Sequence, residues 1–324
     1  MSQTFTQTDA QPTLSLRQPE DGNCEAVRYY LQDREGEISP NTADKLQWQL
    51  RRFGRWCTEN GITDISELDP FDIHRYKNER QGEVKPVTLK SEMSNLTTFL
   101  SLFERVGVAE GLTDAIDTSQ IRVDSRVRDE RLSPDAARDI LNHLSEHHPY
   151  ERDTALAYTL WEGGMRTGGV VALDISDYHP RKRSLEIKHR PEKGTRLKNG
   201  SKGEREIMVS KTLADILDGY IKHHRRDKTD DYGREPLFTT RCGRISAVTV
   251  RKTMYRLTED CDHVDGRLGP HAARKGAIGR HLNEEWKIQH VSERCDVTER
   301  RLREHYDTRP ENEKMEARRQ MYDL

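Results

Sequence analysis

A polar stretch at residues 117–131 constrains the fold of this chain more than any other feature of its sequence. It is rich in charged residues and has no apolar periodicity, whereas apolar residues recur at helical spacing on both sides of it. Segments separated in this way bury their apolar faces in separate cores. The sequence of 324 residues therefore predicts two domains joined by a linker at 117–131.

The part before the linker predicts a helical domain at residues 22–116. Two helix starts are marked by Ser39-Pro40 and Asp69-Pro70, because each pair combines a capping side chain with a proline suited to the first helical position. Apolar residues at helical spacing continue from about Val87 to Gly107. We expect about four helices here, preceded by a flexible tail at residues 1–21.

The part after the linker predicts a second domain at residues 132–310. Helical patterns dominate it, but Ser184–Lys188 and Glu204–Val209 have the composition of strands, with a Gly- and Lys-rich segment between them. We therefore expect a mainly α fold with a small β-hairpin (α+β), in which the hairpin has a long connection. Residues 311–324 are expected to form a C-terminal tail.

The charge of the chain is concentrated rather than large. The formal net charge of −2 argues against a generally basic surface, yet residues 181–205 contain ten Lys or Arg against three Glu, a local balance of +7. A solvated, charge-rich hairpin is one interpretation of this segment, and a surface that contacts a phosphate backbone is the other.

Several classes of protein and site are disfavoured. The five cysteines are scattered without a Cys-x-x-Cys pair, which is typical of reduced thiols in a cytoplasmic protein. The spacing in Cys261-Asp262-His263 does not suit a structural zinc site. The sequence has no Walker-type loop and no apolar run of membrane-spanning length, and its polar N-terminus leads us to expect no signal peptide. We therefore expect no cofactor, no metal and no membrane partner.

A histidine and an arginine stand close together near the C-terminus. His271 and Arg274 follow Pro270, which suits the first position of a helix, and their spacing places them on one helix face. An imidazole and a guanidinium at a helix start favour binding of a phosphate. A further helix is expected from about Val297 to Tyr306.

Four segments, taken in order, resemble the characteristic boxes of the tyrosine recombinase (phage integrase) family. They are WEGGMRTGGVVALDISD with Arg166, LKNGSKGEREIMVS with Lys198 or Lys202, GPHAARKGAIGRHL with His271 and Arg274, and LREHYDTR with Tyr306. The separation of 32 residues between Arg274 and Tyr306 also resembles that of the family. The resemblance extends over roughly residues 22–310 and implies a helical core-binding domain followed by a catalytic domain.

The resemblance implies a site-specific DNA recombinase, or integrase, that forms a 3′-phosphotyrosyl intermediate through Tyr306. Arg166 and Arg274 would stabilise the transition state, with Arg294 as a third arginine. Lys198 would be the general acid, although Lys202 is an alternative, and His271 would assist the tyrosine or bind the phosphate. The implied partners are double-stranded DNA and further copies of the chain, in dimers to tetramers.

Two departures from the family pattern leave alternatives open. Gly169 stands where the family often has an acidic residue, so the partner of the Arg166 guanidinium is not identified. In VSERCDVT, Arg294 or Cys295 stands where a His or Trp is usual. A catalytically impaired DNA-binding relative, acting as a regulator or excision factor, is therefore one alternative. A type IB topoisomerase-like enzyme is another, although the compact helical N-terminal domain favours the recombinase.

Overall fold

A computed structural model describes residues 14–20, 22–123, 130–264, 266–284 and 286–306. The chain divides into two compact units, Met1–Val127 and Arg128–Leu324. The tail expected at 311–324 lies outside the described residues, as do residues 1–13 of the expected N-terminal tail. Both units are mainly helical, and the described part of the second adds two small antiparallel sheets.

The described residues of the first unit form four α-helices, as predicted. They are α1 (Glu25–Asp33), α2 (Pro40–Glu59), α3 (Pro70–Glu83) and α4 (Pro86–Arg105). Both predicted starts are confirmed. The Ser39 hydroxyl accepts a hydrogen bond of 3.2 Å from the Thr42 N–H, and the Asp69 carboxylate accepts one of 2.9 Å from the Asp72 N–H. Each cap pairs a backbone donor that the first turn of a helix leaves unbonded.

Aromatic rings and one buried ion pair hold these helices together. The Phe53 and Tyr76 rings of α2 and α3 meet edge to face with centroids 5.0 Å apart. Between α3 and α4, Arg80 Nε and Nη2 donate to the two carboxylate oxygens of Glu92, each at 2.9 Å. A buried charge is strongly destabilising without its partner. The packing of α3 against α4 must therefore keep Arg80 and Glu92 together.

Described parts of two segments predicted to lack structure contribute to this core, and the prediction is corrected for these residues. Leu16, within the expected tail, is fully buried, and its N–H donates to the Thr63 carbonyl at 2.8 Å. Ile121, within the expected linker, is also buried in the first unit. Each segment has too few apolar residues to establish a period, so their burial was not visible in the sequence.

The described residues of the second unit form eight α-helices. They are α5 (Pro134–His147), α6 (Arg152–Gly163), α7 (Thr167–Ala172), α8 (Lys211–His223), α9 (Ala247–Glu259), α10 (Pro270–Asn283), α11 (Ile288–Cys295) and α12 (Glu299–His305). Buried α6 contacts α5, α8, α9 and α10. The helix expected from Val297 starts two residues later as α12, and α11 was not predicted because only Val291 and Cys295 are buried on it.

The predicted hairpin is confirmed within a three-stranded antiparallel sheet. Strands β1 (Tyr178–His179), β2 (Ser184–Ile187) and β3 (Arg205–Met208) lie in that order, and Ile187 pairs with Arg205. A second ribbon joins β4 (Thr239–Thr240) to β5 (Gly243–Arg244). Strand β1 and this ribbon were not predicted, because two residues are too few to show alternation.

No helix within the described ranges is both long and apolar enough to cross a lipid bilayer.

Candidate active site

The first arginine is placed by a sharp turn at the end of α6. The helix ends at Gly163, Gly164 adopts the left-handed conformation with φ of 54°, and Arg166 caps α7. A Cβ on Gly164 would lie 2.8 Å from the Cys295 Sγ. Only glycine therefore allows the chain to turn this tightly against the end of α11.

The second arginine and the histidine lie on the first turn of α10, where the sequence predicted them. Pro270 is the first residue of the helix, Arg274 is only 3% exposed, and His271 is exposed. Arg274 Nη1 donates to the Gly164 carbonyl at 2.6 Å. Burial and then the charge of Arg166 lower the pKa of Arg274 to about 10. The guanidinium therefore stays charged at neutral pH and is aligned before any ligand binds.

An aspartate that the sequence did not indicate contacts both arginines. Asp296, between α11 and α12, has a left-handed φ of 50°, and its Oδ2 accepts a hydrogen bond from Arg166 Nη1. Its Oδ1 accepts from Asn199 Nδ2 at 2.7 Å, and its carbonyl oxygen lies 3.5 Å from Arg274 Nη2. Asp296 is thus the partner of Arg166 that Gly169 does not provide.

The hairpin connection, residues 188–204, carries both candidate lysines. Leu197 is buried, and its N–H donates to His189 Nδ1 at 2.9 Å. Lys198 follows it and is exposed, while Lys202 is exposed on the short 3-10 turn Gly200–Gly203.

The charges around His271 show which groups lie near it. Although His271 is exposed, its pKa is lowered, first by partial desolvation of the ring and then by four cations, Lys275, Arg274, Lys198 and Arg166. Lys198 is therefore one of the cations close enough to act on the imidazole. The lowered pKa favours the neutral form of the His271 imidazole.

A buried ionic network anchors the start of the hairpin connection. Asp174 lies 3.4 Å from Arg190 Nη1 and 3.3 Å from Arg234 Nη1. Asp230 lies 3.0 Å from Arg234 Nη2 and 2.7 Å from Arg244 Nη2. Arg234 Nη2 also donates to the Lys193 carbonyl at 2.8 Å. The connection is therefore held at its base by groups from outside the hairpin.

Arg294 and Cys295 are both occupied with packing at the end of α6. Arg294 Nη2 donates to the Glu162 carbonyl at 2.9 Å, and its guanidinium lies 5.5 Å from the centroid of the Trp286 ring. Burial raises the pKa of the Cys295 thiol. The role of Arg294 as a third catalytic arginine stays a prediction.

Arg205, which the sequence analysis did not single out, supports the same region from β3. Its Nε donates to the Arg294 carbonyl and its Nη1 to the Gly203 carbonyl, each at 2.7 Å. Burial lowers its pKa. Neither Arg205 nor Asp296 differs in sequence from an ordinary surface residue. The sequence contains one indirect signal for Asp296. Because Gly169 cannot pair with Arg166, another carboxylate had to do so.

Tyr306 follows α12 and is the last described residue. It packs against a small core of Ile278, Leu282, Val291, Cys295, Val297 and Leu302. The Arg131 guanidinium lies 5.9 Å from the centroid of its ring. Tyr306 is also among the ionisable groups close enough to Arg274 to affect the pKa of that arginine. The ring therefore contacts both this small core and the Arg131 guanidinium.

Arg166, Arg274 and the nearby Lys198 form a cationic site around His271. Arg166 and Arg274 offer planar groups of donors, which suit a phosphate, and Lys198 offers a mobile ammonium. Within the described ranges, no group of three or more His, Cys, Asp or Glu side chains is placed to hold a metal ion.

Comparison with family models finds two matches in this chain. The model described as the phage integrase family matches residues 130–307, and the model described as the phage integrase N-terminal SAM-like domain matches residues 28–106. The first match contains every candidate catalytic residue from Arg166 to Tyr306.

Individual relatives agree with these matches. Tyrosine recombinase slr0733 of Synechocystis is 25% identical over 256 residues, which is 74% of this chain and 77% of that protein. The Tn1549 transposon integrase, solved with a circular intermediate DNA, superposes with a TM-score of 0.73 at 15% identity, over 96% of this chain and 99% of that one. A lambda integrase tetramer on a Holliday junction gives 0.67 at 14% identity, over 89% and 76%.

Proposed function

Because the chain belongs to the phage integrase family and is a site-specific DNA recombinase of the tyrosine type, we propose that it cleaves and rejoins double-stranded DNA through Tyr306. The observation that carries this proposal is the convergence of Arg166 and Arg274. They come from separate segments, yet both contact Asp296, through its carboxylate and its carbonyl oxygen. The charges of both arginines and of Lys198 reach His271 and lower its pKa.

In the proposed reaction the Tyr306 oxygen attacks the scissile phosphorus. A phosphotyrosyl bond to the 3′ side forms while the bond from phosphorus to the 5′ oxygen breaks. The phenolic proton leaves to His271 or to water, and Lys198 gives a proton to the leaving 5′ oxygen. Attack by the 5′ hydroxyl of a second strand reverses these steps. The number of phosphoester bonds is unchanged, so the cycle needs no nucleotide hydrolysis.

The two arginines act on the negative charge that builds on the non-bridging oxygens. Their donors are held before DNA arrives, Arg166 by Asp296 and Arg274 by the Gly164 carbonyl. Preorganised donors lower the barrier because they need no rearrangement in the transition state. The carboxylate of Asp296 also replaces the acidic residue missing at Gly169, so that departure gives no reason to prefer a catalytically impaired regulator.

We further propose that the recombinase acts on DNA as an oligomer, from dimer to tetramer, in the cytoplasm. The lambda integrase, which shares the fold, is solved as a tetramer bound to a Holliday junction. All five cysteines of this chain are free, which suits a reducing compartment.

The proposal is tested by trapping the covalent intermediate. The full chain is incubated with nicked duplexes of randomised sequence, and protein-linked DNA is separated on denaturing gels and sequenced. Tyr322, the next tyrosine along the chain, provides the control. We expect the wild-type chain to form an adduct with a selected sequence, Tyr322→Phe to form it too, and Tyr306→Phe to form none.

An adduct on Tyr306→Phe would overturn the choice of nucleophile. Relaxation of a supercoiled plasmid without exchange between two selected sites would favour the topoisomerase-like alternative instead.

A further inference from the structure

The carboxylate of Asp296 contacts two parts of the active site that serve different steps. Its Oδ2 faces the Arg166 guanidinium, which would stabilise charge on the phosphate. Its Oδ1 accepts from the Asn199 amide at 2.7 Å, and Asn199 directly follows Lys198, the proposed general acid. One carboxylate therefore links an arginine from the turn after α6 to the hairpin connection.

Asp296 is built into its place and is not a side chain resting on the surface. Its backbone is left-handed, with φ of 50°, a conformation in which aspartate, asparagine and glycine are the favoured residues. Its side chain is 15% exposed. A Cβ on Gly203 would lie 3.2 Å from its Oδ2, so the hairpin backbone closes directly over the carboxylate.

The surrounding charges explain why a carboxylate is needed there. Burial and repulsion by Arg166 lower the pKa of Arg274, and Arg205 lies in the same cationic region. Without an anion, these guanidinium groups would repel one another and separate. Asp296 offsets this repulsion in the absence of DNA, and one of its oxygens remains for Asn199.

We propose that Asp296 is a positioning residue that acts on both the transition-state arginine and the general acid. It orients Arg166 directly, and through Asn199 it keeps the Lys198 segment docked within reach of the leaving oxygen. This inference rests on the proposed function, because both roles presuppose cleavage by Tyr306.

The two roles separate when the leaving group no longer needs a proton. A nicked duplex with a 5′-bridging phosphorothiolate releases a thiolate, which leaves without a general acid. A defect that arises only from a displaced Lys198 is rescued on this duplex. A defect that arises from a displaced Arg166 is retained.

The variants follow from the geometry. Asn199→Ala removes only the link to the hairpin connection. Asp296→Asn removes the negative charge, and Asp296→Gly removes the whole side chain. Both residue types tolerate the left-handed backbone, so the fold should be little affected. Ser201→Ala changes an exposed residue of the same connection and is the matched control.

The measurement is the single-turnover rate of adduct formation on the selected sequence, with oxygen or sulfur at the bridging position. On the oxygen duplex we expect Asn199→Ala to lose about tenfold and Asp296→Gly about a hundredfold, because small displacements of reacting groups have effects of this size. On the sulfur duplex Asn199→Ala should recover to the wild-type rate, whereas Asp296→Gly should recover only in part. Adding Asn199→Ala to Asp296→Gly should cause no further loss, because the two changes break one link.

Three results would overturn the proposal. If Asn199→Ala loses the same fraction of its rate on both duplexes, Asn199 does not act through the general acid. If Asp296→Asn and Asp296→Gly cleave at the wild-type rate, Asp296 is not a positioning residue. Faster cleavage by either variant would mean that Asp296 competes with the phosphate for the arginines. Thermal melting of each variant establishes that it is folded, and a wild-type chain that forms no adduct would contradict the proposed function instead.

Discussion

Arg274 Nη1 donates a hydrogen bond of 2.6 Å to the carbonyl oxygen of Gly164, although the two residues are 110 positions apart in the chain. This bond fastens the start of α10 to the turn that presents Arg166. The two arginines are therefore placed by one shared backbone feature, and that feature exists only because residue 164 is glycine.

Gly164→Ala should destabilise the second unit and reduce cleavage. An alanine there would adopt a positive φ and bring its Cβ within 2.8 Å of the Cys295 Sγ. We expect a loss of about 2–4 kcal/mol in the free energy of unfolding, from backbone strain and overpacking together. The measurement is urea denaturation. Gly233→Ala is the control, because Gly233 has φ of 71° with no atom within 4 Å of an added Cβ. It should lose only about 1–2 kcal/mol, and equal losses would contradict the role of the contact with Cys295.

Replacing either arginine should affect cleavage far more than DNA affinity. Arg166→Ala and Arg274→Ala should each slow adduct formation by about a hundredfold or more, because each removes a preorganised donor to the transition state. The lysine variants keep the positive charge but lose the planar group of donors, so they should recover little of the rate. Rates are compared with dissociation constants from gel shifts. A parallel collapse of affinity and rate would show that these arginines bind DNA and do not act on the transition state.

A change of leaving group in the DNA substrate distinguishes Lys198 from Lys202 as the general acid. Lys198→Ala should lose cleavage on an ordinary duplex and regain it on a 5′-bridging phosphorothiolate, because the thiolate leaves without a proton. Lys202→Ala should stay near wild type on both, since the charge of Lys198 is among those that act on His271. Rescue of Lys202→Ala instead would identify Lys202, four residues after Lys198, as the general acid.

Buried His281 should make stability depend on pH in the acidic range. Its ring is 1% exposed, its Nε2 lies 3.3 Å from the Glu162 carbonyl oxygen, and burial lowers its pKa to about 4. In the unfolded chain the pKa returns to about 6.5, so below that pH the unfolded state binds more protons. Stability is therefore fully present above pH ~6.5 and should fall by roughly 3 kcal/mol as the pH drops to about 4.

His281→Gln provides the comparison for this pH dependence. Glutamine retains an N–H donor for the Glu162 carbonyl but does not titrate. Urea denaturation of the variant should show a flatter dependence of unfolding free energy on pH between about 6.5 and 4. An unchanged slope would assign the acid sensitivity to other groups.

The sequence predicted those parts of the fold and site that depend on short-range signals. Ser39-Pro40, Asp69-Pro70 and Pro270 mark helix starts through caps and a fixed φ, and the structure has helices at each. These signals act within one turn, so neighbouring residues suffice to read them.

The rest depends on contacts between distant segments. Asp296 pairs with Arg166 across 130 positions, and Arg205 with the Arg294 carbonyl across 89. No local pattern distinguishes such residues from solvated ones. Helix α11 was not predicted for a related reason. Its two buried residues, Val291 and Cys295, are too few to show a helical period, and they are buried by residues from other helices.

The arginine–carboxylate network around Asp174 and Asp230 bears on how the recombinase responds to ionic strength. The side chains of this network are at most 17% exposed, and salt screens such buried pairs much less than surface charges. Contacts between exposed lysines and phosphates, in contrast, weaken steeply as salt displaces them. Concentrated salt should therefore release the DNA while the base of the hairpin keeps its position. On dilution the site should regain activity without refolding.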